Sequence, residues 1–288
     1  MDDLIKNVSV FLMMLLFSVL LAIILGIIFY SEGGNVAQIN IYNEISSSSS
    51  VFSGSISSED IINLIKKADS DPNIKALLIS INSPGGTFVS SKEVVLSLKA
   101  VKKPKICWMH DIATSGAYWV ATACDVIVAD EFTLTGSIGV TGSYLEYSKL
   151  FEKYGITYVR LVSGEKKDIG SPYKNITSSE REDLQKLIDE MHNYFVESVA
   201  NNRNLSKDFV LSIADGNFMT GKEAYNLKLI DYLGDKELVY NLTQKYANLT
   251  DIKVVVYETK FNWYDLFLGT ISKAIENKLS NNNFLIKV

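Results

Sequence analysis

Lys75-Ala76-Leu77-Leu78-Ile79-Ser80-Ile81-Asn82 is a mostly apolar run that stops at Ser83-Pro84-Gly85-Gly86. A strand inside a parallel sheet reads this way, because both of its faces are covered. The two glycines let the backbone turn sharply, and a helix follows near Val89 to Lys99. Upstream, Val36 to Tyr42 alternates with the period of a strand. Ser57 followed by Asp60 resembles a capping box. The helix it opens runs to about Ala68, with Ile61, Ile62, Leu64, Ile65 and Ala68 as its apolar stripe. Asp71-Pro72-Asn73 is a turn. Downstream come a strand at Lys105 to Met109, a helix near Ser115 and a strand at Asp125 to Ala129. This alternation predicts an α/β fold with parallel pairing.

Beyond it the texture becomes helical. Ser178 or Ser179 is expected to cap a helix reaching about Asn202, with Leu184, Leu187, Ile188, Met191, Phe195 and Val199 facing inward. A shorter helix is expected near Lys207 to Ile213. Thr220 to Tyr246 reads as helical with a tight turn at Leu233-Gly234, and Phe261 to Leu279 as a surface helix. At the other end, Val8 to Tyr30 carries no charge. At about 1.5 Å per residue it is long enough to cross the ~30 Å hydrocarbon core. It is longer than the apolar core of a signal peptide and lacks a small-x-small cleavage site, so an uncleaved anchor is expected. Lys6 before it and Glu32 after it place the N-terminus in the cytoplasm and the rest of the chain outside. Gly33-Gly34 forms a hinge, and the serines between 45 and 58 form a Ser-rich loop.

The chain has 288 residues, 47% hydrophobic and 21% charged, which is a globular composition. Its net charge of −5 argues against a nucleic-acid partner, which would need a basic footprint. Two cysteines and two histidines exclude a disulfide scaffold and a Cys/His zinc cluster, and no metal or other cofactor is expected. Cys107 and Cys124 read as small core residues, with a disulfide open to them outside the cytoplasm.

Three places carry chemistry. Amides of the Ser83-Pro84-Gly85-Gly86 turn lack ladder partners and suit an oxyanion, an effect worth about 3–4 kcal/mol per donor; the same turn also fits an ordinary β-to-α connection. In Ala113-Thr114-Ser115-Gly116-Ala117-Tyr118-Trp119, Ser115 sits at a strand-to-helix junction, either as a nucleophile or as a plain N-cap. The third comprises Thr135-Gly136-Ser137-Ile138-Gly139-Val140 and Ser163-Gly164-Glu165-Lys166-Lys167-Asp168. Only His110 and His192 are available as histidine bases, and no Asp–His order accompanies them, which argues against a His triad. A lysine can replace histidine where burial keeps its amine neutral, and Ser137 is placed to fix such an amine. Lys166 and Lys167 equally fit a solvated surface pair.

In order, these segments resemble signal peptide peptidase A (SppA), a family of membrane-anchored Ser/Lys peptidases related in fold to the Clp protease and crotonase group. The resemblance runs from about Ala37 to Thr243 and includes Asp71-Pro72-Asn73-Ile74-Lys75, Ser115-Gly116-Ala117-Tyr118-Trp119, Lys167-Asp168-Ile169, Ala214-Asp215-Gly216 and Thr220-Gly221-Lys222-Glu223-Ala224. It implies a Clp/crotonase-like spiral of β-β-α and βαβ units with a helical C-terminal part, preceded by one transmembrane helix. It implies Ser115 as nucleophile, Lys167 as general base, Ser137 as the residue orienting the lysine, and amides of Gly85 or Gly86 and of Gly116 as the oxyanion hole. Lys166 beside Lys167 leaves the base open. Short members of the family assemble as homo-oligomers in which the lysine reaches the serine of a neighbouring subunit, and they cut remnant signal peptides or other apolar peptides.

The expected organisation is a tail at 1–7, an anchor in the lipid bilayer at 8–30, a hinge at 31–35, a peptidase domain at 36–250 and a C-terminal extension at 251–288. Two other readings are a catalytically silent membrane scaffold and a crotonase-like acyl-CoA enzyme. Ser163-Gly164-Glu165-Lys166 fits the Ser-x-x-Lys of penicillin-binding proteins, but their Ser-Asp-Asn and Lys-Thr-Gly are missing.

Overall fold

The computed structural model describes residues 12–22, 33–48 and 55–258. Residues 12–22 are helical (α1) and exposed; the rest of the apolar segment at 8–30 and the helix expected at 261–279 lie outside the described residues. Among the described residues, no helix is long and apolar enough to cross a membrane. Strands and helices then alternate: β1 (Val36–Tyr42), β2 (Ile45–Ser46), β3 (Ile56–Ser57), α2 (Ser58–Ser70), β4 (Ala76–Ser83), α3 (Phe88–Ala100), β5 (Lys105–Thr114), α4 (Gly116–Ala121), β6 (Val126–Ala129) and β7 (Leu134–Gly136). The remainder is mostly helical: α5 (Ser148–Lys153), α6 (Ser178–Arg203), α7 (Lys207–Ile213), β8 (Phe218–Thr220), α8 (Gly221–Asn226), β9 (Tyr232–Leu233), α9 (Lys236–Tyr246) and β10 (Val254–Tyr257).

The main sheet runs β10-β1-β4-β5-β6-β9 with every neighbour on this path parallel. β7 pairs parallel with β5 and antiparallel with β8. Alternate residues of each strand serve different layers, as the two-residue period demands. Ala37, Ile39, Ile41, Leu77, Ile79, Ile81, Cys107, Met109 and Ile127 pack with the stripe of α2, with α3, with α4 and with the C-terminal half of α6. Val36, Ala76, Leu78, Ile106, Val126 and Val128 meet Val239 and Leu242 of α9 on the other face. Cys107 and Cys124 are both buried and are joined by a disulfide, with Cα atoms 5.9 Å apart, so the alternative open to these two cysteines is the one the fold adopts.

Several local expectations are corrected. β5 runs past Met109 to Thr114: it leaves β6 at Met109 and takes β7 as partner from Ile112, so polar His110 and Asp111 sit within a continuing strand. The cap of α6 is Thr177, not Ser178 or Ser179. Its Oγ1 accepts from the Glu180 amide at 3.2 Å while the Glu180 carboxylate accepts from the Thr177 amide at 2.9 Å, a reciprocal box that neither serine can form with that glutamate. Leu187 is 52% exposed rather than inward. The stretch 220–246 is broken by β9, which pairs with β6, and Asp235 starts α9 afresh by accepting the Glu237 and Leu238 amides.

Asp231 ties these late elements to the sheet. It accepts the Ile127 amide at 2.8 Å and pairs with Arg203 at the end of α6 at 2.7 Å. Nearby, the fully buried Tyr118 of α4 donates its phenolic proton to the Leu229 carbonyl at 3.0 Å. Burial pushes this phenol well above its ordinary range, which keeps it a neutral donor. Tyr118→Phe removes that donor from a buried carbonyl, so it is expected to lower stability by about 1–3 kcal/mol. Urea denaturation of the full chain should show a lower midpoint at unchanged slope; an unchanged midpoint would show that the bond contributes nothing.

Candidate active site

The site lies where β4, β5 and β7 end. Pairing of β4 with β5 shifts register between Ile81 and Ser83, and the chain leaves the sheet through Pro84, Gly85 and Gly86. Gly85 has φ +108°, and a Cβ there would fall 2.8 Å from the Gly116 nitrogen and 3.0 Å from the Ser115 Cβ. A Cβ on Gly86 would fall 1.8 Å from the Ile45 carbonyl oxygen. Only glycine permits either approach. Ile45 grips this turn from both sides: its amide donates to the Gly85 carbonyl at 2.8 Å and its carbonyl accepts the Thr87 amide at 2.9 Å. The Gly85 amide is taken by Ser83 Oγ at 3.2 Å, whereas the Gly86 amide donates to no described residue.

The second turn faces the first. Ser115 has φ 55° and ψ −126°, a strained backbone for a residue with a side chain. Its amide donates to the Gly136 carbonyl at 2.8 Å, and Thr114 Oγ1 donates to the Pro84 carbonyl at 3.1 Å, so both neighbours hold the bend. Ser115 stands at the N-cap position of α4, yet its side chain makes no capping bond. Its hydroxyl is therefore free, which is the arrangement of a nucleophile rather than of a cap. Gly116 is the first helical residue, so its amide has no partner within the helix. A Cβ on Gly116 would fall 3.3 Å from the Gly86 nitrogen and 2.2 Å from Ser91 Oγ. The free amides of Gly86 and Gly116 thus adjoin each other beside Ser115.

Ser115 lines two cavities. The larger, about 400 Å³, is walled mainly by Phe88, Trp119, Val140, Ile188, Met191 and Phe195 and is apolar. The other, about 350 Å³, is the more polar of the two, with Ser137, Gln185, Asp189, His192 and Asp215 in its wall. Ser137 has φ 50°, is held by its backbone N–H, which donates to the Asn217 carbonyl at 2.8 Å, and donates its hydroxyl proton to the Gly216 carbonyl at 3.0 Å. Its lone pairs remain for an incoming donor.

Lys167 lines neither cavity. It is exposed, on a turn whose amide bonds to the Gly164 carbonyl at 3.1 Å, and has no ion pair among the described residues. Lys166 is paired with Asp183, whose carboxylate raises the lysine further above neutrality. His110 is on the opposite side of the sheet, bonded to Ser80 at 2.7 Å and in tilted contact with the Trp108 ring at 4.0 Å, and burial lowers its proton affinity. The sequence brought Ser115, Ser137, Gly85, Gly86 and Gly116 to notice. It did not single out Ile45 or Ser91, and it set His192 aside. Gln185, Ile188, Asp189 and His192 share one face of α6 by their spacing, and of these only Ile188 belongs to the stripe of Leu184, Leu187, Ile188, Met191, Phe195 and Val199 expected to face inward.

The lysine-bearing segment is held by charge. Arg160 grips both oxygens of Asp168, at 2.6 and 2.8 Å, and also reaches the Glu165 carbonyl. Lys174 lies 3.4 Å from Asp168 and bonds to Glu180. The Arg160 guanidinium lowers Asp168 to about 2, and Lys174 together with the Thr177 amide lowers Glu180 to about 2.

These features define a class: an α/β chain with a nucleophile-type serine at a strand-to-helix turn and two free amides beside it. The profile of Peptidase family S49 matches residues 97–250, and the chain belongs to that family. Sequence relatives include a putative protease of Methanocaldococcus jannaschii, 36% identical over 70% of this chain and 65% of its own length. Another is a putative signal peptide peptidase SppA of Enterococcus faecium, 34% identical over 69% of this chain and 59% of its own length. The matched region therefore spans somewhat under two thirds of these relatives. Among solved structures, a mutant of the membrane-bound stomatin-specific protease 1510-N superposes with a TM-score of 0.51 at 15% identity, over 79% of this chain and 99% of that one, which speaks for the fold alone.

The depressed carboxylates set an acid limit on the segment. A lowered folded-state pKa contributes stability that is full above the ordinary values of 3.8 and 4.5 and is lost as pH falls through about 2. Amide hydrogen exchange across residues 160–180, corrected for intrinsic rates, should accelerate progressively below about pH 4. Protection unchanged down to pH 2 would mean that the cluster holds nothing in place.

Proposed function

We propose that this chain is a membrane-anchored serine endopeptidase with Ser115 as nucleophile and Lys167 as general base, acting on remnant signal peptides or similar apolar peptides. The observation that carries the reading is the uncapped Ser115 hydroxyl at positive φ, next to the free Gly86 and Gly116 amides. Ser115 Oγ attacks the substrate carbonyl carbon and passes its proton to the lysine amine. The two amides stabilise the resulting oxyanion, each worth about 3–4 kcal/mol in a preorganised site. The lysine then gives that proton to the leaving amine nitrogen, and water resolves the acyl-enzyme by the same route in reverse. The apolar cavity suits an apolar substrate side chain, and the name of the Enterococcus relative points to the same substrate class.

In this reading the base comes from a neighbouring subunit of a homo-oligomer. The polar cavity holds Ser115, Ser137, Asp189 and Asp215, but among the described residues no lysine or arginine lines it. Arg160, which grips the segment that carries Lys167, is flanked by apolar side chains that face water: Leu161 is 90% exposed and Val159 73% exposed. The Clp/crotonase-like spiral, the anchor at 8–30 with the catalytic part outside the cytoplasm, and the domain at 36–250 with its flanking extension belong to the same proposal.

The test uses the full chain in detergent and a fluorogenic apolar peptide. Ser115→Ala and Lys167→Ala are each expected to lose at least about 1,000-fold in kcat/KM, with Lys166→Ala active. Mixing the two inactive variants before assembly should restore activity, because about a quarter of the interfaces in a randomly mixed ring pair an intact serine with an intact lysine. Full activity in Ser115→Ala would sink the mechanism. No recovery on mixing would sink the shared site, and an inactive wild-type oligomer would favour the silent scaffold.

A further inference from the structure

Among the described residues, four buried side-chain polar atoms have no hydrogen-bond partner: Ser91 Oγ, Ser148 Oγ, His192 Nε2 and Arg203 Nε. Two of these residues, Ser91 and His192, line the cavities that meet at Ser115. His192 lines the polar one together with Ser115 and Ser137. Its helix neighbour in that wall, Asp189, already has Oδ1 occupied by Gln185 Nε2 at 2.8 Å, so that oxygen does not answer the imidazole. A buried ring nitrogen without a partner is costly, and its residue lines a compartment that holds Ser115 and, among the described residues, no lysine.

We propose that His192 is a positioning residue for the base, a role that rests on Lys167 entering this cavity from a neighbouring subunit. With its proton on Nδ1, the neutral imidazole presents the Nε2 lone pair to the lysine amine. A neutral amine has two N–H bonds and one lone pair. Ser137 Oγ, whose own proton goes to the Gly216 carbonyl, accepts one N–H. His192 Nε2 accepts the other. With both N–H bonds taken, the amine lone pair has one direction left, and it points at the Ser115 hydroxyl. After proton transfer the ammonium has three N–H bonds. Two keep their acceptors and the third is delivered to the leaving nitrogen. His192 thus neither gains nor loses a proton; it restricts rotation of the group that does.

Such a residue acts on the chemical step and leaves substrate binding in the apolar cavity alone. In the full chain in detergent, His192→Phe is expected to lower kcat by about tenfold or more with KM within about twofold. His192→Gln, whose amide oxygen can accept the same N–H, is expected to recover to within about threefold of wild type. Labelling of Ser115 by a fluorophosphonate should slow in the same order, because it reports activation of the hydroxyl without peptide binding. Oligomer size and thermal midpoint are followed for each variant. If His192→Phe fails to assemble, His192→Ala takes its place in the comparison.

A kcat within about twofold of wild type in the assembled Phe or Ala variant overturns the proposal. So does a loss confined to KM, or a Gln variant as slow as the Phe variant. Lys167→Ala is run beside them. If it stays active, the base assignment fails and the role of His192 falls with it; if it is inactive while His192→Phe is unaffected, only the role of His192 is overturned.

Discussion

Ile45 and Gly86 form an isolated parallel bridge away from the main sheet, and the geometry of the site depends on it. Two hydrogen bonds of 2.8 and 2.9 Å lock Ile45 to the residues on either side of Gly86, which leaves the Gly86 amide itself unpaired. The Gly85–Gly86 turn is then pressed against the Ser115–Gly116 turn so closely that side chains at Gly85, Gly86 or Gly116 would collide with backbone or with Ser91. Donors held this way are fixed by the fold itself, an arrangement that would leave little reorganisation to oppose charge development on a bound carbonyl. The bend at Ser115 costs about 1–3 kcal/mol. It is offset by the bonds from Ser115 and Thr114 to neighbouring carbonyls and by burial of Tyr118 and Trp119 just beyond it.

Helix α6 divides its length between two tasks. Phe195, Val196, Val199 and Ala200 are buried in the core, and Trp119 bonds through its indole to Ser198 at 2.7 Å, so this half docks directly against α4. The preceding turns leave the core. Ile188 and Met191 wall the apolar cavity, and Gln185, Asp189 and His192 wall the polar one. One rigid element therefore joins the packing that supports the Ser115 turn to the surfaces that would select a substrate side chain and receive a base.

The fold was legible where burial writes a strong local pattern. β4 and β6 are covered on both faces and so appear as a mostly apolar and an unbroken apolar run, and α2 shows its stripe and its Ser57 cap, which accepts the Asp60 amide at 3.0 Å. Elements set by distant partners were less legible. β9 has two residues and exists because β6 offers it an edge. β5 continues through His110 and Asp111 because β7 replaces β6 as its partner. The glycines and serines of the site stood out because positive φ and close approach restrict residue choice to few types; the histidine and the isoleucine beside them carry no such restriction, so nothing local tied either of them to the site.

The sequence by itself determined the α/β alternation, the two glycine turns and the serine at the strand-to-helix junction, because each follows from the local conformational preferences of a few adjacent residues. Only the tertiary structure decided which amides stay unpaired, that the Ser115 hydroxyl is not spent on a cap, and that His192 shares a cavity with Ser115 while Lys167 does not. Those facts depend on contacts between segments far apart in the chain, and no local preference encodes which distant backbone atom will occupy a given hydrogen bond.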